Sequence, residues 1–403
     1  MPTDSSLQVD TICAGCRSSH LYEFFHTMRA PVNVGSLSRS REEALEAKVE
    51  EIRLVYCLNC ELVHNPDFDY RKVDFRPGYE VALSHSKTFL DFQQGVVSNL
   101  VANHNLNNKD VLEIGCGDGV FLKMMCQAGG NRGVGIDPSV PQTGQQTLES
   151  GSVRFIRDYF DETYANEIGD FICCLSVFEN IPSPLEFLVK LRNMIGDRNT
   201  GIYFEVFNGF RSIQAGEIWS IHYEQCNYFS PSSLASMFRL AGFKLTNWGT
   251  CYEQGQYAFV EATPDLNNDG SSGSSDSATG TKVEILPDLI REFAEEYRRR
   301  TDYWSQKLTE LKRDGRRVVL WGCGGKGISF LNAVNVKDEI QYVVDINPNR
   351  QGSFIPGTAQ EVINPDVLSE FQPDLIVLTN PIYEQEIRQQ VEGLNLNPEF
   401  DYV

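Results

Sequence analysis

Short apolar runs alternate with amphipathic stretches from about residue 89 to residue 262, and the alternation resumes beyond residue 283. Unbroken apolar runs of this length read as strands buried on both faces, and a 3.6-residue spacing reads as the helices between them. The clearest unit is Val111, Leu112, Glu113 and Ile114, then glycines at 115, 117 and 119, then a helical pattern over 120–125. Further strands are expected at 133–137, 153–159, 169–177 and 201–206. Strand and helix in alternation predict an α/β fold built on a doubly wound sheet. Ser230 and Pro231 have the residue types of an N-cap and first helical position.

A second unit of the same kind follows a run rich in Ser, Gly, Asn and Asp over 264–282, whose composition is that of a flexible linker. A long helix is expected over 284–313, with Ile285, Leu289, Phe293, Tyr297, Trp304, Leu308 and Leu311 on its apolar stripe. Then come a strand at 317–321, the spacing Gly322-x-Gly324-x-x-Gly327, and a strand over 341–345 closing on Asp345. In isolation this would be a dinucleotide site, with an anion at the helix N-terminus. Residues 41–51 read as a solvated helix. The organisation expected is a zinc-binding segment 1–84, a first Rossmann-like domain 85–262, a linker 263–282 and a second Rossmann-like domain 283–403.

The net charge of −20 and a sequence pI near 4.8 argue against nucleic acid and against anionic membranes, both of which ask for clustered Lys and Arg. No apolar run approaches the ~20 residues of a membrane helix. The N-terminus carries no basic, then apolar leader, so a cytoplasmic location is expected. The eleven cysteines are then not a disulfide framework.

Four of them form two C-x-x-C knuckles, Cys13 with Cys16 and Cys57 with Cys60, with forty residues between. Four thiolates in this pattern suit a closed, structural tetrahedral Zn²⁺ site. A redox pair is the rival, and His64 is at most a spare ligand. The glycine loop has a different chemistry. Its spacing, Gly115-x-Gly117-x-Gly119, differs from a dinucleotide fingerprint, and Asp137 closes the next strand eighteen residues on. An acid there suits a ribose diol. Glu113, the three glycines and Asp137 together resemble the S-adenosylmethionine site of class I methyltransferases. Asp158 and Tyr159, ending the third strand, suit an adenine amine and face. Ser176, ending the fourth, begins the stretch 176–184 where an acceptor should lie. The loop 218–231 is dense in polar and aromatic groups, a composition more common in functional loops than in core segments.

The order of two cysteine knuckles, this loop and a Gly-Cys-Gly-Gly-Lys-Gly tail (residues 322–327) resembles the three-domain sugar C-methyltransferases. The resemblance covers nearly the whole chain. It implies S-adenosylmethionine in the middle domain and a nucleotide-linked ketosugar between the outer ones. It also implies a tail that needs no nicotinamide, and an enolate as methyl acceptor. Tyr79 matches the family tyrosine of the N-terminal segment. The family histidines are replaced: Asn180 follows Glu179, and Gln225 follows Glu224. Amides cannot serve as bases. Glu224 is retained, and His222 or His85 could take the histidine's role. Otherwise the acceptor is an amine, a hydroxyl or a more acidic carbon, or the chain binds the cofactor without catalysis. An oxidoreductase built on the tail is the remaining reading.

Overall fold

The strand Asp110–Ile114 lies inside an eight-stranded sheet in the computed structural model, which describes residues 11–75, 77–79, 85–266 and 286–403. It pairs in parallel with Arg132–Ile136 on one side and Phe171–Leu175 on the other. Ser152–Ile156 extends the first side in parallel, and the antiparallel Gly144–Thr147 closes that edge. Gly201–Phe207 extends the other side in parallel, followed by the antiparallel Tyr257–Pro264 and then Phe243–Cys251, which pairs antiparallel with Tyr257–Pro264 and so runs with the parallel strands again. This is the class I methyltransferase sheet. Leu112, Ile172 and Cys174 pack on one face, and Val111, Phe171 and Cys173 on the other. Burial on both faces is why the sequence shows runs there and not alternation.

The second Rossmann-like sheet is wholly parallel. Its order is Glu361–Ile363, Tyr342–Val344, Val318–Trp321, Leu375–Leu378 and Glu399–Tyr402. The helix Leu286–Arg313 precedes it, with Ile290, Phe293, Trp304 and Leu308 buried. Of the expected stripe, Ile285 and the side chain of Leu289 lie outside the described residues, as does linker 267–282. The strand Tyr257–Pro264 runs two residues past the expected start of that linker.

A third, antiparallel sheet runs Leu21–Pro31, Val49–Cys57, Val63–His64 and Asn227–Tyr228. Its last strand belongs to the loop after Gly201–Phe207, so the N-terminal segment is stitched into the middle of the chain. One core then gathers Phe25 and Ile52 from this sheet, Trp219 and Tyr223 from the loop, Phe293 from the long helix and Phe330 from the tail. Phe293 meets Phe24 and Phe25 edge-on, with ring centroids 6.2 and 5.4 Å away. The helix expected over 41–51 is shorter than its charge pattern promised. It covers only Arg41–Leu45, where Ala44 is fully buried and its carbonyl accepts from Gly357 N. From Val49 the chain is strand, because pairing with Leu21–Pro31 wins over local helix preference. Leu21–Pro31 itself shows no clean alternation, since a register shift after Glu23 places both Phe24 and Phe25 inside.

Candidate functional site

The glycine loop leaves the central strand at its carboxyl end. Gly115, Gly117 and Gly119 all have positive φ, at 73°, 51° and 75°. A Cβ on Gly115 would lie 2.2 Å from Val177 Cγ2, and one on Gly119 2.3 Å from the Phe155 ring. Nothing stands within 4 Å of a Cβ on Gly117, so the loop packs inward at its ends and is open at its middle. Gly117 N donates to Asp137 Oδ2 at 2.9 Å, while Ser139 N and Oγ donate to Oδ1 at 2.6 Å. Asp137 thus fixes the loop and still has acceptor capacity on Oδ2. Glu113 lies beneath, 3% exposed, and its Oε2 has no partner among the described residues. Burial, with the charges of Asp118 and Asp137, raises its pKa well above the usual carboxyl value. An unsatisfied buried oxygen costs about 1–3 kcal/mol, which a donor from a ligand would relieve. An open glycine, an acid beside it and an orphaned carboxyl fit a cofactor carrying hydroxyls and an amine.

The outer members of the expected cofactor site are looser. Asp158 accepts from Tyr159 N at 2.8 Å and from the Tyr164 hydroxyl at 2.7 Å, and the Tyr159 ring is 56% exposed. Ser176 takes φ 54°, and its N–H donates to Glu205 O at 2.8 Å.

Tyr79 and Glu224 meet. The tyrosine hydroxyl donates to Glu224 Oε1 at 2.9 Å, and Val34 N donates to Oε2 at 2.9 Å. Gly35 makes room, because a Cβ there would lie 2.2 Å from Tyr79 Cε2. Burial raises Glu224 to about 7 against these hydrogen bonds and the pull of Arg350. Burial and the neighbouring Glu224 raise Tyr79 far above the usual phenol range. Glu179 is a second buried acid whose charge acts on Tyr79. Its Oε1 accepts from Phe207 N at 3.1 Å, and Oε2 has no partner among the described residues. Burial brings it too to about 7. Glu179 was visible in the sequence only as the acid before Asn180, and Arg350 had no signal there.

The other expected catalytic side chains are placed differently. His222 turns to the tail. Ser329 Oγ donates its proton to Ile221 O at 2.9 Å, so the 2.8 Å contact with His222 Nδ1 has the imidazole as donor. The other ring nitrogen faces Gly325, where a Cβ would come within 2.6 Å of it. Burial, helped by the Lys326 charge, lowers His222 to about 4. Gln225 spends its amide on Asn227 O at 3.2 Å. Asn180 closes the turn Phe178–Asn180 after the fourth strand. His85 is exposed before the helix Lys87–Asn103.

The second glycine loop is largely occupied by the chain itself. Asp345 accepts from Cys323 N at 3.1 Å and from Asn347 N at 2.9 Å, and Arg350 donates to Cys323 O at 3.0 Å. With His222 against Gly325, a dinucleotide has little of its usual cradle.

At the far end of the antiparallel sheet the four knuckle cysteines converge. Cys13 and Cys60 sulfurs are 3.5 Å apart, Cys16 and Cys57 3.6 Å, and all four lie within 4.8 Å of one another. A tetrahedron with metal–sulfur bonds of ~2.3 Å has sulfurs ~3.8 Å apart, so the donor set fits zinc. The neighbouring Cys13 and Cys60 hold the Cys57 thiol well below the usual thiol range, and Cys57 chiefly pushes Cys13 above it. His64 is buried outside this cluster, and loss of water lowers it to about 4.

Residues 91–247 match the family described as a methyltransferase domain, and residues 284–397 match the C-methyltransferase C-terminal domain. The chain carries a methyltransferase domain. A tRNA U34 carboxymethyltransferase of Pseudomonas fluorescens is 33% identical over 102 residues, which is 24% of this chain and 32% of the relative. The chain thus spans about a third of that relative's length. The magnesium protoporphyrin IX methyltransferase of Synechocystis, solved with bound S-adenosylhomocysteine, is 19% identical. That match covers 46% of this chain and 89% of the other, with a TM-score of 0.35. The 1,6-didemethyltoxoflavin-N1-methyltransferase of Burkholderia thailandensis is 15% identical over 44% of this chain and 81% of its own, with a TM-score of 0.32. Among the described residues no helix is long and apolar enough to cross a membrane.

The methyltransferase domain stores its buried acids at a cost that pH reveals. Glu205, which accepts from the Tyr203 hydroxyl at 2.6 Å, is raised to about 7 by burial, like Glu179 and Glu224. A raised carboxyl stabilises the fold below its unfolded pKa, and that stability is lost as pH rises through the folded one. Each unit is about 1.4 kcal/mol. The melting temperature should therefore fall between pH 5 and 8, and Glu205→Gln should flatten the decline. An unchanged slope in that variant would show Glu205 to be ionised throughout.

Proposed function

We propose that the protein is an S-adenosylmethionine-dependent methyltransferase that methylates a carbon beside the carbonyl of a small polar acceptor, such as a nucleotide-linked ketosugar. The observation that carries this reading is the buried Tyr79–Glu224 pair. A base for an α-proton works best with a pKa near the working pH, and burial brings Glu224 to about 7. Glu224 takes the proton. Once protonated it no longer needs the Tyr79 hydroxyl, which can turn to the oxygen where the enolate charge develops. Arg350, whose charge acts on both residues, favours the same anion. His222 is a poor base beside them, weakened by burial and turned to Ser329. Glu113, Gly117 and Asp137 would hold the cofactor, which supplies an electrophilic methyl group. The match of residues 284–397 supports methylation at carbon over nitrogen or oxygen. Cys13, Cys16, Cys57 and Cys60 would hold a structural zinc ion with no open position for chemistry.

Calorimetry tests the cofactor half. S-adenosylmethionine and S-adenosylhomocysteine should both bind, and Asp137→Ala should weaken binding roughly 10- to 100-fold, the worth of one or two charge-assisted hydrogen bonds. No binding by the intact protein would end the proposal. The acceptor half is tested by deuterium exchange at the carbon next to the ketone, without cofactor, over a panel of ketosugar nucleotides. Methylation of an amine or hydroxyl by a protein that exchanges none of them would overturn carbon chemistry.

A further inference from the structure

The eight-stranded sheet carries two polar atoms that the proposed mechanism leaves unused. Glu205 lies on Gly201–Phe207, and its backbone oxygen accepts from Ser176 N at 2.8 Å, beside the stretch 176–184. Its carboxyl reaches across the neighbouring strand. Oε2 accepts from the Tyr203 hydroxyl at 2.6 Å and from the Cys251 thiol at 3.5 Å. Tyr257 stands opposite Phe207 on one side and Cys251 on the other, so the Glu205 carboxyl passes beside it. Glu205 is 2% exposed and Tyr257 half-buried. Neither Glu205 Oε1 nor the Tyr257 hydroxyl has a hydrogen-bond partner among the described residues, and neither atom is sealed from solvent.

The phenol is held in place. Its ring stacks on Phe92 of the helix Lys87–Asn103, with centroids 6.3 Å apart and planes 7° apart, and touches Tyr252 at 5.7 Å and Phe207 at 6.5 Å. Tyr252 has φ 55°, a region that bulky residues rarely adopt, and its hydroxyl donates to that of Tyr383 in the tail at 3.0 Å. Gln256 Nε2 donates to Asn380 Oδ1 at 3.4 Å, and Ser86 Oγ to Glu386 Oε2 at 3.1 Å. The aromatic wall thus stands where the methyltransferase sheet meets the tail. Phe207, the strand partner of Tyr257, also holds Glu179, whose charge acts on both Tyr79 and Tyr257. Burial, with the charges of Tyr383 and Glu205, raises Tyr257 far above the usual phenol range, so it stays a donor. A fixed donor, a carboxyl oxygen and flat aromatic faces suit a hydroxylated ring, with hydroxyls at its edge and C–H groups on its faces.

We infer that Tyr257 and Glu205 form a hydroxyl-binding subsite for the sugar ring of the acceptor, the Tyr257 hydroxyl donating one hydrogen bond and Glu205 Oε1 accepting another. This subsite rests on the reading of the acceptor as a ketosugar nucleotide, and Glu224 takes no part in it.

Fluorine NMR of the full chain with 3-fluorotyrosine in place of Tyr257 alone tests it, with S-adenosylhomocysteine present. Titration with uridine diphosphate 4-keto-6-deoxyglucose should shift the signal saturably, and uridine diphosphate alone should leave it in place. Tyr257→Phe keeps the ring that packs on Phe92. It should raise KM for the ketosugar ~5-fold, the worth of one hydrogen bond, with S-adenosylmethionine affinity and melting temperature as in the parent. Glu205→Gln should weaken ketosugar binding by a similar factor, because its oxygen stays with the Tyr203 hydroxyl and an N–H2 group replaces Oε1. A signal unmoved by the ketosugar, or moved as far by uridine diphosphate or S-adenosylhomocysteine alone, would overturn the inference. So would a loss of S-adenosylmethionine affinity in Tyr257→Phe. A ketosugar methylated without moving the signal would sink the subsite and leave Glu224 as base. A shifted signal without deuterium exchange would sink the carbon chemistry and leave the subsite.

Discussion

Glu224→Gln should lower turnover by roughly 10²- to 10⁴-fold, the range of a lost general base. Glutamine keeps the size of the side chain; with its oxygen at the Oε2 position it still accepts from Val34 N, and its NH2 then donates to the Tyr79 oxygen, reversing that bond. The fold and cofactor affinity should therefore survive while the proton acceptor is gone. The rate of the parent should rise with pH through about 7, because only the ionised carboxylate takes a proton and burial sets its pKa there. That limb should vanish in the variant. Tyr79→Phe should cost less, and should shift the limb to higher pH, because the Tyr79 hydrogen bond lowers the Glu224 pKa and its loss leaves burial less opposed. His222→Gln should leave the limb in place. A pH limb that follows His222 instead, with Glu224→Gln near parental activity, would sink the assignment of the base.

Removing the proposed zinc ion should have the largest effect on stability. Four thiolates within 4.8 Å of one another would repel, and a cation among them turns that repulsion into attraction. Structural zinc sites in small peptides contribute on the order of 10–16 kcal/mol at neutral pH, more than the net stability of most domains. Cys57 is fully buried, and Cys13, Val55, Cys57 and Leu62 share a core with Met237 and Phe238 of the helix Pro231–Leu240. Gly15 packs so closely that a Cβ would lie 2.9 Å from Met237 Cε. Cys57→Ser, or chelation, should therefore loosen the antiparallel sheet and lower the melting temperature by more than ten degrees, on the order expected for several kcal/mol. Elemental analysis should find one zinc per chain in the parent. Because Val34 follows the strand Leu21–Pro31 by three residues and holds Glu224 together with Tyr79, methyl transfer should fail as well, while S-adenosylmethionine still binds to the other sheet. A metal-free parent that melts like the cysteine variant would show the cluster to be plain thiols.

The two effects separate what is local in this chain from what is not. The glycine loop was legible because turn, ligand approach and helix start are all set within nine residues, 111–119, by the absence of Cβ atoms. Asp137 was legible because parallel strands bring successive carboxyl ends to one edge, so a fixed spacing becomes a fixed place. The cysteine knuckles were legible for a similar reason, since each pair needs only its own turn. The register shift in Leu21–Pro31 and the short helix Arg41–Leu45 were not, since both are fixed by pairing and packing with distant segments.

The catalytic side lay further beyond reach. Asn180 and Gln225 stood out in the sequence as amides where a base was expected, and His222 as the neighbouring imidazole. Tertiary structure gives Gln225 to Asn227 O and His222 to Ser329, and it joins Tyr79 to Glu224 across 145 residues. By itself the sequence determined a class I sheet, its glycine loop and a four-cysteine cluster, because those depend on short-range geometry and burial. Only the tertiary structure decided which acids burial raises to near neutral pH, and that Tyr79 faces one of them, Glu224. It likewise decided which buried atoms are left without a partner, such as Glu113 Oε2, because pKa and unmet hydrogen bonds depend on what long-range packing removes from water.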